Sequence, residues 1–240
     1  MRIDLQPAYL LHSRKVSDSR LIVDFMTRDY GLLSAMARAP TKKQSPFALF
    51  RPVVISWLGN KELKTLTHHE LAAVTMPVLQ GQPLFCGFYL NELLIRLLNK
   101  GDGSTSLYEA YQYALLHLPS AVSPEPLLRC FERLLLDEAG FAIDWHCDIT
   151  GCAIEPHYWY RLNPSAGFEL INTQPLSQWC LDNRPPANTY EGDSILALAS
   201  NQYHCASVQV AAKNIMRYLL ASRLGGRALK SRELFASSLL

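Results

Sequence analysis

Cysteine is present but nowhere closely paired, long apolar runs are missing, and charge is sparse; each absence narrows what this 240-residue chain can be. The six cysteines, Cys86, Cys130, Cys147, Cys152, Cys180 and Cys205, are scattered, which predicts reduced thiols rather than a disulfide framework. Arg, Asp or Glu interrupts every longer apolar stretch before it reaches membrane-spanning length, and the opening MRIDLQPAYLL has no apolar run behind a basic end. The reading is a cytoplasmic protein with no membrane partner. No internal repeat and no low-complexity tract occurs. With 49% apolar and 18% charged residues, the chain can bury a substantial core in one large domain or two smaller ones.

Catalytic motifs are missing as well. GGRALKS (225–231) carries a Lys-Ser pair like a phosphate loop, but no Gly precedes the Lys and no strand leads into it, so backbone amides cannot cradle a phosphate there. His69-Glu70 in HHELAAV lacks a second His one helical turn on, as a shared zinc would need. There is no Gly-x-Ser-x-Gly elbow and no Cys with a local base signature. The expectation is a protein that is not an enzyme. His146, Cys147, Cys152 and His157 lie close in sequence, with His204-Cys205 farther on, but four residues separate Cys147 from Cys152 and no second close Cys pair follows. We therefore expect no metal and no cofactor, with the cysteines acting as small hydrophobes.

What is present is an uneven distribution of charge. Residues 1–80 hold 11 Lys and Arg against 6 Asp and Glu, a net +5; residues 81–160 come to −6 and residues 161–240 to +3, although the whole chain is only +2. Basic ends around an acidic middle speak about partners rather than fold, and a polyanion is the commonest such partner.

The hydrophobic period changes near Pro83. Before it, 8–16, 20–27, 32–39, 50–59 and 62–74 are short segments rich in apolar or β-favouring residues, divided by turn signals that include Asp29-Tyr30-Gly31 and Gly59-Asn60. Five strands in the first 80 residues predict a small antiparallel barrel; an OB-fold is the economical version and an SH3-like barrel the rival. After it, 84–101, 104–118 and 124–140 have helical spacing with plausible caps, and could form a compact bundle. Within 142–190, HYWYRL and GFELIN predict a β-hairpin and Pro185-Pro186 a loop; 207–224 reads as a long helix, and a short tail follows Gly225-Gly226. The fold class is α+β: a barrel over 1–80, then a mainly helical domain over 81–240 with an irregular or hairpin region at about 142–190.

Near the C-terminus, Lys213, Arg217, Arg223, Arg227, Lys230 and Arg232 fall within 20 residues, and across KNIMRYLLASRLGGRALKSRELF (213–235) Glu233 is the only acid. Lys213 and Arg217 are four apart and share a helix face, which makes a basic stripe. Together, ALKSRELF (228–235) with its preceding Gly pair, LLHSRKVSDSRLIVDFMTRDYGLLSAMARAPTKK (10–43) and GFYLNELLIRLL (87–98) resemble the RecO family of bacterial DNA repair and recombination proteins. The likeness runs in order along essentially the whole chain and is weakest between about 142 and 205.

That resemblance implies an N-terminal OB-fold, a helical domain, no catalytic site, and in some members a four-cysteine zinc site whose two-residue Cys spacings are absent here. It implies binding of single- and double-stranded DNA, annealing of complementary strands and, with RecR, assistance in loading RecA onto DNA coated by the single-stranded-DNA-binding protein. Arg14, Lys15, Arg38, Lys42 and Lys43 would track phosphates together with the C-terminal cations, and Tyr30 or Phe47 would stack on bases if exposed. The helical domain would receive the acidic, Phe-terminated tail of the single-stranded-DNA-binding protein; Arg129 and Arg133, four apart on one helix, would form its cationic rim, and Leu128 and Phe131 its apolar surface. Pairing of those arginines with Glu125, Glu132 or Asp137 is the alternative. An adaptor that binds acidic partner tails without annealing DNA is the second functional reading, and nucleoid association follows from the first.

Overall fold

Alternation builds the barrel. In β2 (Arg20–Thr27) Val23 and Phe25 point inward, in β3 (Gly31–Arg38) Leu33, Ala35 and Ala37, and in β4 (Pro52–Leu58) Val53, Ile55 and Trp57; with Ala8 and Leu10 of β1 (Arg2–Ser17) they form one core. The computed structural model describes residues 1–39, 48–179, 185–203 and 205–237. With β5 (Leu63–Leu71), the strands close in the order β1-β2-β3-β5-β4, β3 and β5 being parallel and the other pairs antiparallel. This is the OB-fold arrangement, and it decides against the SH3-like rival. The β2–β3 connection is the expected hairpin, with Gly31 at φ 61° and the Thr27 hydroxyl donating to the Gly31 carbonyl at 2.9 Å.

The chain divides into two compact units, Met1–Pro124 with Ala228–Leu240, and Glu125–Arg227. In the first, the barrel is joined to α1 (Gln82–Leu97) and α2 (Thr105–His117). The α1–α2 connection lies against the β2–β3 hairpin so closely that a Cβ on Gly31 would stand 2.1 Å from the Asp102 carbonyl oxygen, and one on Gly103 2.2 Å from that of Asp29. Two glycines let two backbones meet. Deeper in, Asn91 of α1 donates to the Leu11 carbonyl at 2.9 Å and accepts from the Tyr111 hydroxyl at 2.5 Å, while Tyr9 packs on Tyr108 and Tyr111 with ring centroids 5.4 and 5.1 Å apart. Burial pushes the Tyr108 phenol up to about 12.

The second unit holds α3 (Glu125–Glu138), the sheet β7-β6-β8 made from β6 (Trp159–Asn163), β7 (Gly167–Asn172) and β8 (Thr189–Glu191), the short α4 (Leu176–Trp179), α5 (Gly192–Ala199) and α6 (Ala206–Arg223). β6 and β7 are the expected hairpin. α3 packs on α6, so it belongs with this unit rather than in a bundle with α1 and α2. An apolar stripe states that a helix needs a partner but not which one. β8, α5 and α7 (Ser231–Ser237) carry too short a pattern to stand out in the sequence. No described helix is long and apolar enough to cross a membrane.

Candidate nucleic-acid interface

Because residues paired across a ladder share a face, the inward positions of β2 and β3 also define the outward ones. Arg20 and Arg38 are direct partners in the β2–β3 register, and both are exposed. Met36 lies on the same outward side and pairs with Thr65 of β5. Arg20, Met36, Arg38, Thr65, Thr67 and His69 surround a groove of about 660 Å³, with Ala37 and Leu66 completing its lining. Like charges placed opposite each other in a sheet are destabilising, so an Arg-Arg pair is a poor choice unless something anionic covers it.

Arg14 faces the same way, through its pairing with Ile22, while its neighbour Lys15 pairs with Leu21 and bonds Asp18 at 2.6 Å. The pleat thus separates two cations that are adjacent in sequence. No described carboxylate pairs with Arg14, Arg20 or Arg38. Farther along the same wall Asp24 marks the end of the basic band, accepting from the Ser34 hydroxyl at 2.6 Å with His12 at 3.7 Å. Partial burial, and then the neighbouring His68, hold His69 below the usual imidazole range, so it is neutral at pH 7. Tyr30 is engaged edge-on with Trp57 at 5.3 Å and serves as packing. Lys42, Lys43 and Phe47 lie outside the described residues.

The C-terminal cations are split between the units. Lys213 and Arg217 are exposed on α6, opposite the buried Ala212, Ile215, Met216 and Leu219, and Arg227 is exposed beyond it. Arg223 turns inward, donating to the Pro164 carbonyl at 2.8 Å with its guanidinium 4.4 Å from the Phe141 ring centroid. Lys230 and Arg232 are exposed and belong to the barrel's unit.

On α3 the arginines share a face, and that face is internal. Arg129 is 9% exposed and donates to Glu132, itself fully buried, at 2.6 Å. Arg133 donates to the carbonyls of Leu198 and Ala199, the latter at 2.8 Å, and lies 5.6 Å from the Trp145 ring centroid. Leu128 and Phe131 are buried beside them, and Nε of each arginine has no hydrogen-bond partner among the described residues.

Around Cys147 and Cys152 the turn is organised by carboxylates. Asp144 accepts the amides of His146 and Cys147 at 2.7 and 3.0 Å; Asp148 accepts those of Thr150 and Cys152 at 2.8 and 3.1 Å and the Thr150 hydroxyl at 2.6 Å. These bonds, led by His146 for Asp144 and by Thr150 for Asp148, hold both carboxyls below their ordinary values. Desolvation and then the Asp144 carboxylate push the Cys147 thiol above its ordinary value. Among the described residues no three His, Cys, Asp or Glu converge as a metal site.

Comparison with known proteins fits this architecture. Residues 1–74 match the family model for the Recombination protein O N terminal, and residues 80–233 that for the Recombination protein O C terminal. The chain belongs to the RecO family. It is 38% identical to the DNA repair protein RecO of Cellvibrio japonicus over 98% of both chains, 37% identical to that of Coxiella burnetii over 97% of this chain and 98% of the relative, and 39% identical to that of Pseudomonas aeruginosa over 96% and 94%. Membership places the protein in DNA repair and recombination. The sequence pattern does not single out Arg20, Thr65 or Thr67, and it raises His69 only as a zinc ligand that the spacing rules out: a lone Arg at a strand start has no motif, and only the register sets it against Arg38. Its parity with outward-facing Ile22 and Asp24 is the signal that was available.

Proposed function

We propose that the protein is a DNA-binding recombination mediator that anneals complementary single strands and, with RecR, helps load RecA onto DNA coated by the single-stranded-DNA-binding protein. The observation that carries the DNA-binding step is the opposed Arg20 and Arg38, neither paired with a described carboxylate, lining a groove on an OB-fold barrel in a RecO-family chain. Guanidinium groups neutralise phosphates, while outward-facing Met36 offers apolar surface to unpaired bases. Annealing needs two polyanions to approach with their bases still available. Neutralising backbone charge from an open groove does this without nucleotide hydrolysis or metal. Lys230 and Arg232 add exposed cations on the unit that carries the groove, and Lys213 and Arg217 supply a separate cationic stripe on α6 of the other unit. Such a protein works in the cytoplasm at the nucleoid.

The partner-tail contact is assigned to α3. There the free Nε donors of Arg129 and Arg133 supply the side of a guanidinium that a terminal carboxylate engages, once the surrounding side chains open. The deciding experiment for the DNA reading is a salt titration of oligonucleotide affinity with Arg20→Ala/Arg38→Ala. A folded double variant that binds single strands with unchanged affinity and salt dependence would falsify the assignment of the groove.

A further inference from the structure

The last segment of the chain returns to the first unit after the whole of Glu125–Arg227 has intervened, and one side chain receives it. Glu92 of α1 accepts the Lys230 amide on Oε1 at 3.0 Å, and the Ser231 amide and hydroxyl on Oε2 at 2.8 and 2.7 Å. One turn on, Arg96 donates to the Ala228 carbonyl at 3.1 Å and stands 3.6 Å from Glu92. Leu229, between these contacts, is 2% exposed. Three donors on one carboxylate make a charge-assisted clasp that also satisfies amides at the start of α7, which a helix cannot satisfy for itself. Burial alone would raise the Glu92 carboxyl, but the hydrogen bonds from Ser231 and Lys230, with the charge of Arg96, outweigh it and hold the group below its ordinary value. Lys230 and Arg232, next to the clasped atoms, remain exposed and form no ion pair with a described carboxylate.

We propose that Glu92 is a positioning residue for DNA binding: by clasping the Ala228–Ser231 turn on α1, it presents Lys230 and Arg232 to DNA from the unit that carries the barrel's groove. This rests on the reading of Lys230 and Arg232 as phosphate contacts. Glu92 touches no DNA itself; its carboxylate would repel a phosphate, so a loss of affinity on neutralising it runs against simple electrostatics.

The test uses the full chain and a single-stranded oligonucleotide, with affinity measured across salt concentrations and amide hydrogen exchange followed over residues 229–237. Four forms are compared: the parent, Glu92→Gln, Lys230→Ala/Arg232→Ala, and the triple variant. Glu92→Gln should speed exchange in the segment and flatten the salt slope, approaching the fall of about 1.4 expected when two single-strand phosphate contacts are lost. The triple variant should then behave like Lys230→Ala/Arg232→Ala. Ser231→Ala, which removes one donor and no charge, should shift both readouts in the same direction by less, and serves if Glu92→Gln fails to fold. Faster exchange in Glu92→Gln with an unaltered slope, while Lys230→Ala/Arg232→Ala flattens it, overturns the positioning role and leaves the phosphate contacts standing. An unaltered slope in Lys230→Ala/Arg232→Ala overturns the proposal at its premise, and the groove at Arg20 and Arg38 is unaffected by that result. Unchanged exchange in a folded Glu92→Gln overturns the clasp itself.

Discussion

Arg20 and Arg38 stand directly opposite each other in the antiparallel β2–β3 ladder, both exposed and neither paired with a described carboxylate. The folded protein therefore holds a like-charge repulsion that a bound anion would relieve.

Stability and binding should consequently move in opposite directions at this pair. Arg38→Ala should leave stability unchanged or raise it by about 0.2–1 kcal/mol, the range for removing a like-charge cross-strand pair. The same change should lower the salt slope of single-strand binding by about 0.7. Thermal melting and a salt titration on the same preparation check both. A destabilised Arg38→Ala would mean that the side chain has a structural partner rather than a waiting anion.

Buried charge on α3 makes the opposite case. Removing Arg129 takes the ion-pair partner from a fully buried Glu132, and loss of one member of such a pair costs about 3–5 kcal/mol. Replacing both, Arg129→Met with Glu132→Leu, should restore stability to near or above the parent value. Denaturant unfolding of the two variants measures the difference; equal destabilisation by both would place the pair's worth in its packing instead of its charge.

How much of this was legible in the sequence depends on the distance over which a pattern acts. The barrel was, because Val23, Phe25, Leu33, Ala35 and Ala37 alternate within their own strands and Gly31 marks the turn between them. So was the face shared by Lys213 and Arg217. Arg223 continues the same run of cations, yet it points at Phe141 and the Pro164 carbonyl, and nothing local distinguishes it from its neighbours. Arg129 and Arg133 show a similar ambiguity: i,i+4 spacing puts them on one face, but whether that face meets solvent is decided by α6 and α5. Glu92 and Ser231 are 139 residues apart, and each looks like an ordinary surface residue until the fold joins them.

Acid should loosen the turn at Cys147. Asp144 and Asp148 have folded-state values below their ordinary ones, so the stability they contribute is fully present above the usual carboxylate value near 3.8 and is lost as pH falls through the lowered folded values. Asp148→Ala should lower the melting temperature at pH 7 and weaken its dependence on pH in the acid limb. EDTA should change neither the melting temperature nor strand annealing. A chelator-sensitive melt, reproduced by Cys147→Ser, would show that a metal and not the carboxylates organises this turn.

The partner-tail assignment can be tested through Trp145, because Arg133 lies 5.6 Å from the centre of its ring. A peptide with several aspartates and a C-terminal Phe should draw the Arg133 guanidinium toward its carboxylate, and the indole then loses a cation from its face. Tryptophan emission should change on titration with the peptide, and the change should vanish in Trp145→Phe while the remaining tryptophans still emit. Arg133→Lys is the informative substitution: it keeps the charge but cannot engage a carboxylate bidentately, so peptide affinity should fall several-fold while oligonucleotide affinity stays near the parent value. Arg129→Ala is unsuited to this test because it breaks the buried ion pair with Glu132 and destabilises the helix pair that carries the site. Peptide affinity that survives Arg133→Lys but falls in Lys213→Ala/Arg217→Ala moves the tail to the exposed face of α6. There it would compete with DNA for the same cations, and adding oligonucleotide should displace it.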